Sequence, residues 1–337
     1  MRRDVASAGH AAGPTGDCMI DDLLKRRALI VMGKGGVGRT SVSAALALLR
    51  AADSGRVLAI EYDRAGALAA TLGRKPSLVA AEAAPGVWTA VLDGAFQLEE
   101  YLATVVPSRA MLKAIVHSGI YRYFVEAAPG LRDLIMVGKI YHELEYRPPA
   151  EPWDLVVLDA PATGQALNVL RMPLAAHETF GGAIVGRTAE RVAELLRDPA
   201  RCAVVLVTSP EAFAVSETLE AYAEIASMGL HVGAIVMNRM RAPGFDARGV
   251  GRLERAMAQR AGAGAAHFER LAALARNQLA RARAQRRALE LVRRRLGAPV
   301  IAIGECEGLG AMALARALAG EFARQRRGAT RVGAVRA

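Results

Sequence analysis

Fourteen residues near the start of the chain, ALIVMGKGGVGRTS from Ala28 to Ser41, leave few folds open. A short apolar run turns into a glycine-rich loop and passes directly into an apolar helical pattern. In such a strand, loop and helix unit, successive backbone N–H groups form a concave anion site at a helix N-terminus. Gly33, Gly35, Gly36 and Gly38 let phosphate oxygens approach without a Cβ in the way. The string fits G-x-x-x-x-G-[K/R]-[T/S] over Gly33 to Thr40, with Arg39 where phosphate loops normally have lysine. The expected cradle is Gly33, Lys34, Gly35, Gly36, Val37, Gly38, Arg39, Thr40 and Ser41.

Two chemistries compete for this loop. Gly33-x-Gly35-x-x-Gly38 also fits a dinucleotide fingerprint, and Glu61 and Asp63 stand near the distance of a ribose-binding acid. An NAD-binding oxidoreductase is therefore a remote alternative. That fingerprint gives no reason for a cation and a hydroxyl side by side at the helix start. A nucleoside triphosphate site needs both, Arg39 to hold β- and γ-phosphate oxygens and Thr40 to ligate Mg²⁺. Lys34 adds a second cation, which suits a polyphosphate better than a diester. ATP and Mg²⁺ are the expected ligands.

Apolar runs bounded by turn residues recur at 27–33, 56–63, 153–160, 202–210, 231–240 and 298–304, with a weaker one at 86–93. They are short, nearly continuous and rich in β-branched residues, as strands buried on both faces of a parallel sheet are. Helical periodicity separates them at 39–52, 95–106, 211–228 and 309–325. The expected fold is α/β, a doubly wound, mostly parallel sheet of the P-loop NTPase type. Two connections, 95–150 and 241–297, are longer than a crossover needs and read as helical insertions forming a subdomain. In the first, Met111, Leu112, Ile115, Val116, Ile120 and Tyr121 share a helix face, and core packing is their expected fate. The sequence thus divides into a disordered extension at 1–18, one ATPase domain at 19–326 and a basic tail at 327–337.

The N-terminal stretch lacks an apolar signal core and no apolar run reaches membrane-spanning length, so the chain reads as cytoplasmic. Cys18, Cys202 and Cys306 are far apart and form no C-x-x-C pair, so neither a zinc site nor a disulfide framework is expected. Cys202 opens an apolar strand and reads as core. A formal charge of +11 raises the question of nucleic acid, but Arg241 to Gly297 holds nearly all of the excess, fourteen arginines against Asp246, Glu254, Glu269 and Glu290. Within it, residues 253–297 alternate Leu and Ala with Arg and contain one aromatic, Phe268, whereas nucleic-acid surfaces interleave stacking aromatics with cations. A solvated basic helix face is the plain reading, and a docking face for an acidic protein or an anionic membrane surface the alternative. Sequence-specific nucleic acid is not expected. Arginine outnumbers lysine 39 to 5, so Arg39 also fits a general drift, although a planar guanidinium and a compact ammonium are not interchangeable in a tight anion site.

Trp153 to Asp159, WDLVVLD, is an apolar strand that delivers one carboxylate at its C-terminal end, beside the loop, where it can support Mg²⁺. It continues into APATGQALNVLRMP. With the first loop, this resembles the ArsA-type ATPases of the arsenite-pump and tail-anchored-protein-targeting family, which carry GKGGVGKT, an acid after the second strand and a stretch close to D-x-A-P-T-G-H-x-L-R-L-L-x-x-P. The resemblance runs from about Met19 to about Phe322 and takes in VLDGAFQLEEYL at 91–102, APGLRDLIMVG at 128–138 and VLVTSPEAFAVSETLEAY at 205–222.

The resemblance implies a slowly hydrolysing ATPase that closes head to head on two ATP molecules as a conformational switch. The partner is a second copy or a paralogous ATPase. In that arrangement Lys34 acts in trans on the partner's phosphates, Thr40 and Asp159 hold Mg²⁺, and Ser41 touches the α-phosphate. Asp63 orients the attacking water and Asn238 reads the adenine edge. Arg39 replaces the family's lysine, and Gly66 and Gln165 each replace a histidine. These departures leave open a second reading, a nucleotide-binding, nearly inactive subunit that pairs with a hydrolysing relative. The duplicated second half and thiol cluster of the arsenite-pump subunit, and the C-x-x-C pair of the eukaryotic targeting factor, are missing, which speaks against arsenite extrusion.

Overall fold

The computed structural model describes residues 19–334 apart from 63–64, 119–128, 147, 149, 182–183, 243, 245 and 259–264. The expected extension at 1–18 lies outside the described residues. The first half contains α1 (Met19–Leu24), β1 (Ala28–Gly33), α2 (Arg39–Ala52), β2 (Val57–Glu61), α3 (Ala67–Thr71), β3 (Ala81–Ala84), β4 (Val87–Val91), α4 (Gly94–Val105), α5 (Arg109–Val116) and α6 (Pro129–Glu145). Then follow β5 (Leu155–Ala162), α7 (Thr163–Phe180), α8 (Ile184–Arg197), β6 (Cys202–Thr208), α9 (Ala212–Ser227), β7 (Val232–Met240), α10 (Ala247–Ala258), α11 (Ala265–Arg295), β8 (Val300–Gly304) and α12 (Ala311–Ala334).

The described strands form one sheet in the order β3-β4-β2-β5-β1-β6-β7-β8, parallel except for the pairing of β3 with β4 at one edge. Continuous apolar runs arise because both faces are covered. Ala28, Ile30 and Met32 of β1 pack into a core with α6 to α9 and α11, while Leu29 and Val31 pack into a second core with α1, α2, α3 and α12. In β5, Val156, Leu158 and Ala160 join the first core, and Leu155 and Val157 the second. Asp159 has the parity of Leu155 and Val157, so its carboxylate is directed to the face that α2 covers. The register sets Asp159 opposite both Val31 of β1 and Glu61 of β2. Three strand ends therefore meet where the glycine loop begins. A Cβ on Gly33, at φ +155°, would lie 2.0 Å from the Val207 carbonyl oxygen, so a side chain there would break the pairing of β1 with β6.

All seven expected strands are present. β3, sequence AEAA, has no apolar signal and exists through its pairing with β4. The helix expected at 309–325 runs on to Ala334 and takes in most of the expected 327–337 tail. Both long connections are mostly helical where described, with α4, α5 and α6 in the first and α10 and α11 in the second. The Trp153 indole donates to Glu143 at 2.7 Å, and Lys139 bridges Glu143 and Glu100 at 3.0 and 2.8 Å, which ties α6 and α4 to the start of β5. The expected core packing of the α5 stripe is corrected. Met111 is 57 % exposed, Leu112, Ile115 and Val116 are only half-buried, and no residue of α5 joins either core. Amphipathic spacing marks an apolar face and does not supply the layer beneath it. Ile120 and Tyr121 lie outside the described residues. Among the described residues, no helix is long and apolar enough to cross a membrane.

Candidate nucleotide site

Helix α2 opens immediately after the glycine loop, with its N-terminus at the edge where β1, β5 and β6 end. Thr40 and Ser43 are one turn apart and so share the helix face toward β5. The Thr40 hydroxyl donates to one Asp159 oxygen at 2.7 Å, and the Ser43 hydroxyl donates to the other at 3.0 Å. Burial pushes the Asp159 carboxyl above its ordinary range, while these two hydrogen bonds and the Arg39 charge pull the other way. A desolvated carboxylate beside a hydroxyl is a hard-oxygen donor pair that fits Mg²⁺, with phosphate and water completing the shell. Among the described residues there is no cluster of three His, Cys, Asp or Glu side chains able to hold a metal. An ion at Thr40 and Asp159 would therefore depend on the phosphates for further ligands.

Arg39 reaches across to the same strand, its guanidinium donating to the Ala160 carbonyl oxygen next to Asp159. Burial lowers the pKa of Arg39, opposed by the charges of Asp159 and Glu217. Five N–H donors allow a guanidinium to keep this contact and still meet phosphate oxygens, which an ammonium at one point in space does less readily. The loop cation is thus joined to the segment leading into α7. At the start of that helix the Thr163 hydroxyl is buried and has no hydrogen-bond partner among the described residues.

A cavity of about 500 Å³ opens here, lined in part by Arg39, Thr40, Tyr62, Asp133, Asp159 and Gln165. Glu61 lines it as well, with its two oxygens accepting the N–H groups of Ala67 and Leu68 at 2.7 and 3.0 Å and capping α3. Asp63, the expected water-orienting acid, lies outside the described residues. Its neighbour Tyr62 donates to Asp133 at 2.6 Å and ties the end of β2 to α6. Gly66, at φ +71° with Pro76 2.8 Å from where a Cβ would stand, could not carry the family's histidine without a local change of backbone.

The remaining expected residues fall around the loop. Lys34 sits with its ammonium 3.8 Å from the ring centroid of Phe213, a side chain 68 % exposed near the start of α9. Ser41 is half-buried on the first turn of α2, whereas Gly35 and Gly36 are exposed. Asn238 on β7 is buried behind the loop. Its amide donates to the Val37 carbonyl at 2.9 Å and accepts from the Arg239 N–H at 2.9 Å, so in this arrangement it braces the cradle through main-chain contacts. Cys202 is core, its thiol pushed up to about 12 by burial. Sequence reasoning missed Ser43, whose signal was a serine in the apolar run VSAALALL one turn after Thr40. It also missed Phe213, Tyr62 and Asp133, which carry no local signal.

Residues 26–185 and 184–248 match the family model of anion-transporting ATPases, the ArsA ATPases. The chain is similar to the ATPase BagA of Mycobacterium tuberculosis, 32 % identical over 218 residues that span 62 % of this chain and 64 % of the relative, just under two thirds of its length. It is also similar to the arsenical pump-driving ATPase of Escherichia coli, 26 % identical over 228 residues covering 62 % of this chain and 39 % of that protein. An uncharacterized protein of Streptomyces coelicolor, SCO2128, is 31 % identical over 148 residues, 44 % of this chain and 37 % of its own. The family model covers more than half of the chain and includes the glycine loop, Asp159 and Asn238, and the chain belongs to the anion-transporting ATPase family.

Proposed function

We propose that the chain binds ATP with Mg²⁺ at the α2 N-terminus in the cytoplasm, hydrolyses it slowly, and uses the nucleotide to close a dimer as a conformational switch. The junction of Thr40, Ser43 and Asp159, at 2.7 and 3.0 Å beside a two-cation glycine loop, carries this reading. The loop N–H groups and the α2 N-terminus bind phosphate, and Arg39 and Lys34 add positive charge. Thr40 and Asp159 would hold Mg²⁺, which supplies neutralisation of phosphate charge when bound. Asp63 positions the attacking water. The link from Arg39 to Ala160 supports coupling between the loop and the start of α7. The Thr163 hydroxyl, buried without a partner among the described residues, supports a second arrangement of that helix start, since such a group costs roughly 1–3 kcal/mol. Lys34, parked on an exposed ring at the mouth of the loop, supports a reach toward a partner.

The same Arg39 contact supports the second reading, a weakly hydrolysing subunit paired with an active paralogue, because the guanidinium is already held by the main chain. Measurements of ATP affinity and turnover on the purified chain test both. Asp63→Asn should leave affinity nearly intact and lower turnover by about 10² or more, the order for losing a group that positions the nucleophile. Full turnover in that variant overturns the assignment. Mg²⁺-dependent ATP binding without turnover in the unaltered chain, restored by Arg39→Lys, supports the second reading instead.

A further inference from the structure

α11 is 31 residues long, which corresponds to roughly 46 Å at 1.5 Å per residue. One stripe faces inward, with Ala272, Ala275, Ala282, Val292 and the following Leu296 all buried. Outward stand Arg281, Arg283, Arg286, Arg287, Arg293, Arg294 and Arg295, every one of them exposed. Among the described residues, none of these seven has a carboxylate partner or a side-chain hydrogen bond, whereas Arg276 on the same helix meets Glu254 at 3.2 Å. Elsewhere exposed arginines pair as well, Arg171 with Glu224 at 2.9 Å and Arg241 with Glu307 at 3.1 Å. Arg283 is three and four residues from Arg286 and Arg287, spacings at which like charges repel on a helix. An external array of anions would relieve that repulsion.

The place of this face in the fold limits what can bind it. α11 ends at Arg295, just before β8, and β8 runs parallel to β7. Arg293, Arg294 and Arg295 therefore lie near the N-terminal edge of the sheet, whereas Gln285, beside Arg283, Arg286 and Arg287, accepts the Arg241 N–H at 2.9 Å just past the C-terminal end of β7. None of these arginines lines the nucleotide cavity, so a surface can take up this face without entering it. Leu291, 41 % exposed, stands between Arg287 and Arg294 at spacings of four and three, on the same face. Guanidinium groups at the level of lipid phosphates, with a leucine between them entering the acyl boundary, are the composition of an interfacial helix. No aromatic occurs in residues 281–295 to stack on bases.

We infer that the C-terminal half of α11 is a docking face for a bilayer carrying anionic phospholipid. The full chain should float with vesicles containing about 30 % phosphatidylglycerol at about 150 mM salt and not with neutral phosphatidylcholine vesicles. Reversing Arg283, Arg286, Arg287 and Arg293 to Glu should lower partitioning by about 10² or more, since each basic side chain near an anionic surface contributes severalfold. The same four changed to Lys should retain it within a few-fold, and changed to Gln should lose it while the circular dichroism of the chain is kept. Leu291→Ser should weaken vesicle binding and leave binding to polyglutamate unchanged. Failure to bind anionic vesicles overturns the inference, as does a quadruple reversal without effect. Tighter binding to polyglutamate or to random duplex DNA than to vesicles also overturns it and assigns the face to an acidic protein or a nucleic acid.

Discussion

Arg39 and the arginines of α11 carry the same side chain into opposite settings. Arg39 is half-buried, hydrogen-bonded to the Ala160 carbonyl, close to the Asp159 charge and lowered in pKa by burial. Arg283, Arg286 and Arg287 stand in solvent with no carboxylate partner among the described residues. At the first site both shape and charge are constrained, because a carbonyl, a carboxylate and an anion cradle fix where the donors must point. On α11 charge alone matters, so that any cation should serve. A net charge of +11 cannot distinguish the two, since Arg39 adds one to it just as Arg283 does. What separates them is contact, since Arg39 is held by the main chain beside Asp159 while the α11 arginines are open to the outside.

The largest effect is expected from removing the charge that Arg39 faces. Asp159→Asn should lower Mg²⁺-dependent turnover on the order of 10² or more, the scale for losing a preorganised charge at a reacting phosphate. The same change should leave the metal-free protein as stable or make it more stable at neutral pH. The sign follows from the carboxyl being raised above 3.8 in the fold. The folded state then binds the proton more tightly than the unfolded chain, so its contribution is fully present below the ordinary pKa and is lost as pH rises through the raised one. Melting curves from acid to neutral pH should fall for the unaltered chain relative to Asp159→Asn. A marked loss of stability in the variant at neutral pH would mean that Arg39 outweighs burial at this carboxylate.

Arg39→Lys sharpens the contrast directly. It keeps the charge, gives up the fork that reaches Ala160, and should change turnover about tenfold in one direction or the other, given how differently the two groups fill an anion site. A gain identifies the arginine as a brake, and a loss identifies a site adapted to guanidinium. The quadruple charge reversal on α11 should leave soluble turnover within about twofold, because these exposed arginines do not line the nucleotide cavity and salt screens their field. Equal sensitivity of turnover to both changes would break the comparison.

Much of the fold was legible because β1, β5, β6 and β7 are buried on both faces and their apolar runs have few alternatives. The junction of Thr40 with Asp159 was legible too, as each has a place in a motif and the sheet register brings the two together. What could not be read depends on backbone atoms or on distant partners. The acceptor for Arg39 is a carbonyl, which no side-chain pattern announces. Tyr62 and Asp133 meet across 71 residues of chain. Asn238 was identified by position, but its observed contact, the Val37 carbonyl, belongs to the loop itself. The α5 stripe was misread for a related reason, because a periodic apolar face says nothing of what lies opposite it.

A smaller effect should come from Ser43→Ala. This removes one fully buried hydrogen bond to an ionised carboxylate, a loss of roughly 1.5–3 kcal/mol for a bond to a charged group. The methyl group that remains fits the space, so the loss should show as a lower urea midpoint with an unchanged slope. ATP affinity should fall by a few-fold as Asp159 loses its second orienting donor. No shift in the midpoint would show that water replaces the hydroxyl and that Asp159 is held by Thr40 and Arg39 alone.

The smallest effect concerns Lys34, which falls between the two classes of cation, half-buried like Arg39 yet resting on a side chain that is mostly in solvent. Its ammonium lies 3.8 Å from the Phe213 ring centroid, and the ring is mostly in solvent. A cation–π contact at such a site contributes about 0.5–1 kcal/mol. Phe213→Ala should leave the melting temperature nearly unchanged, because an exposed substitution away from the core falls within about 0.5 kcal/mol. If Lys34 must leave the ring to act on a partner's phosphates, the variant should raise turnover by about two- to fivefold at fixed protein concentration, which is that contact energy converted at 1.4 kcal/mol per factor of ten. In a Lys34→Ala background, Phe213→Ala should no longer change turnover, and a double-mutant cycle measures the coupling. Lower turnover in Phe213→Ala, with the Lys34 coupling retained, would instead make the ring a guide that presents the lysine, and a coupling of zero would return Phe213 to an ordinary exposed side chain.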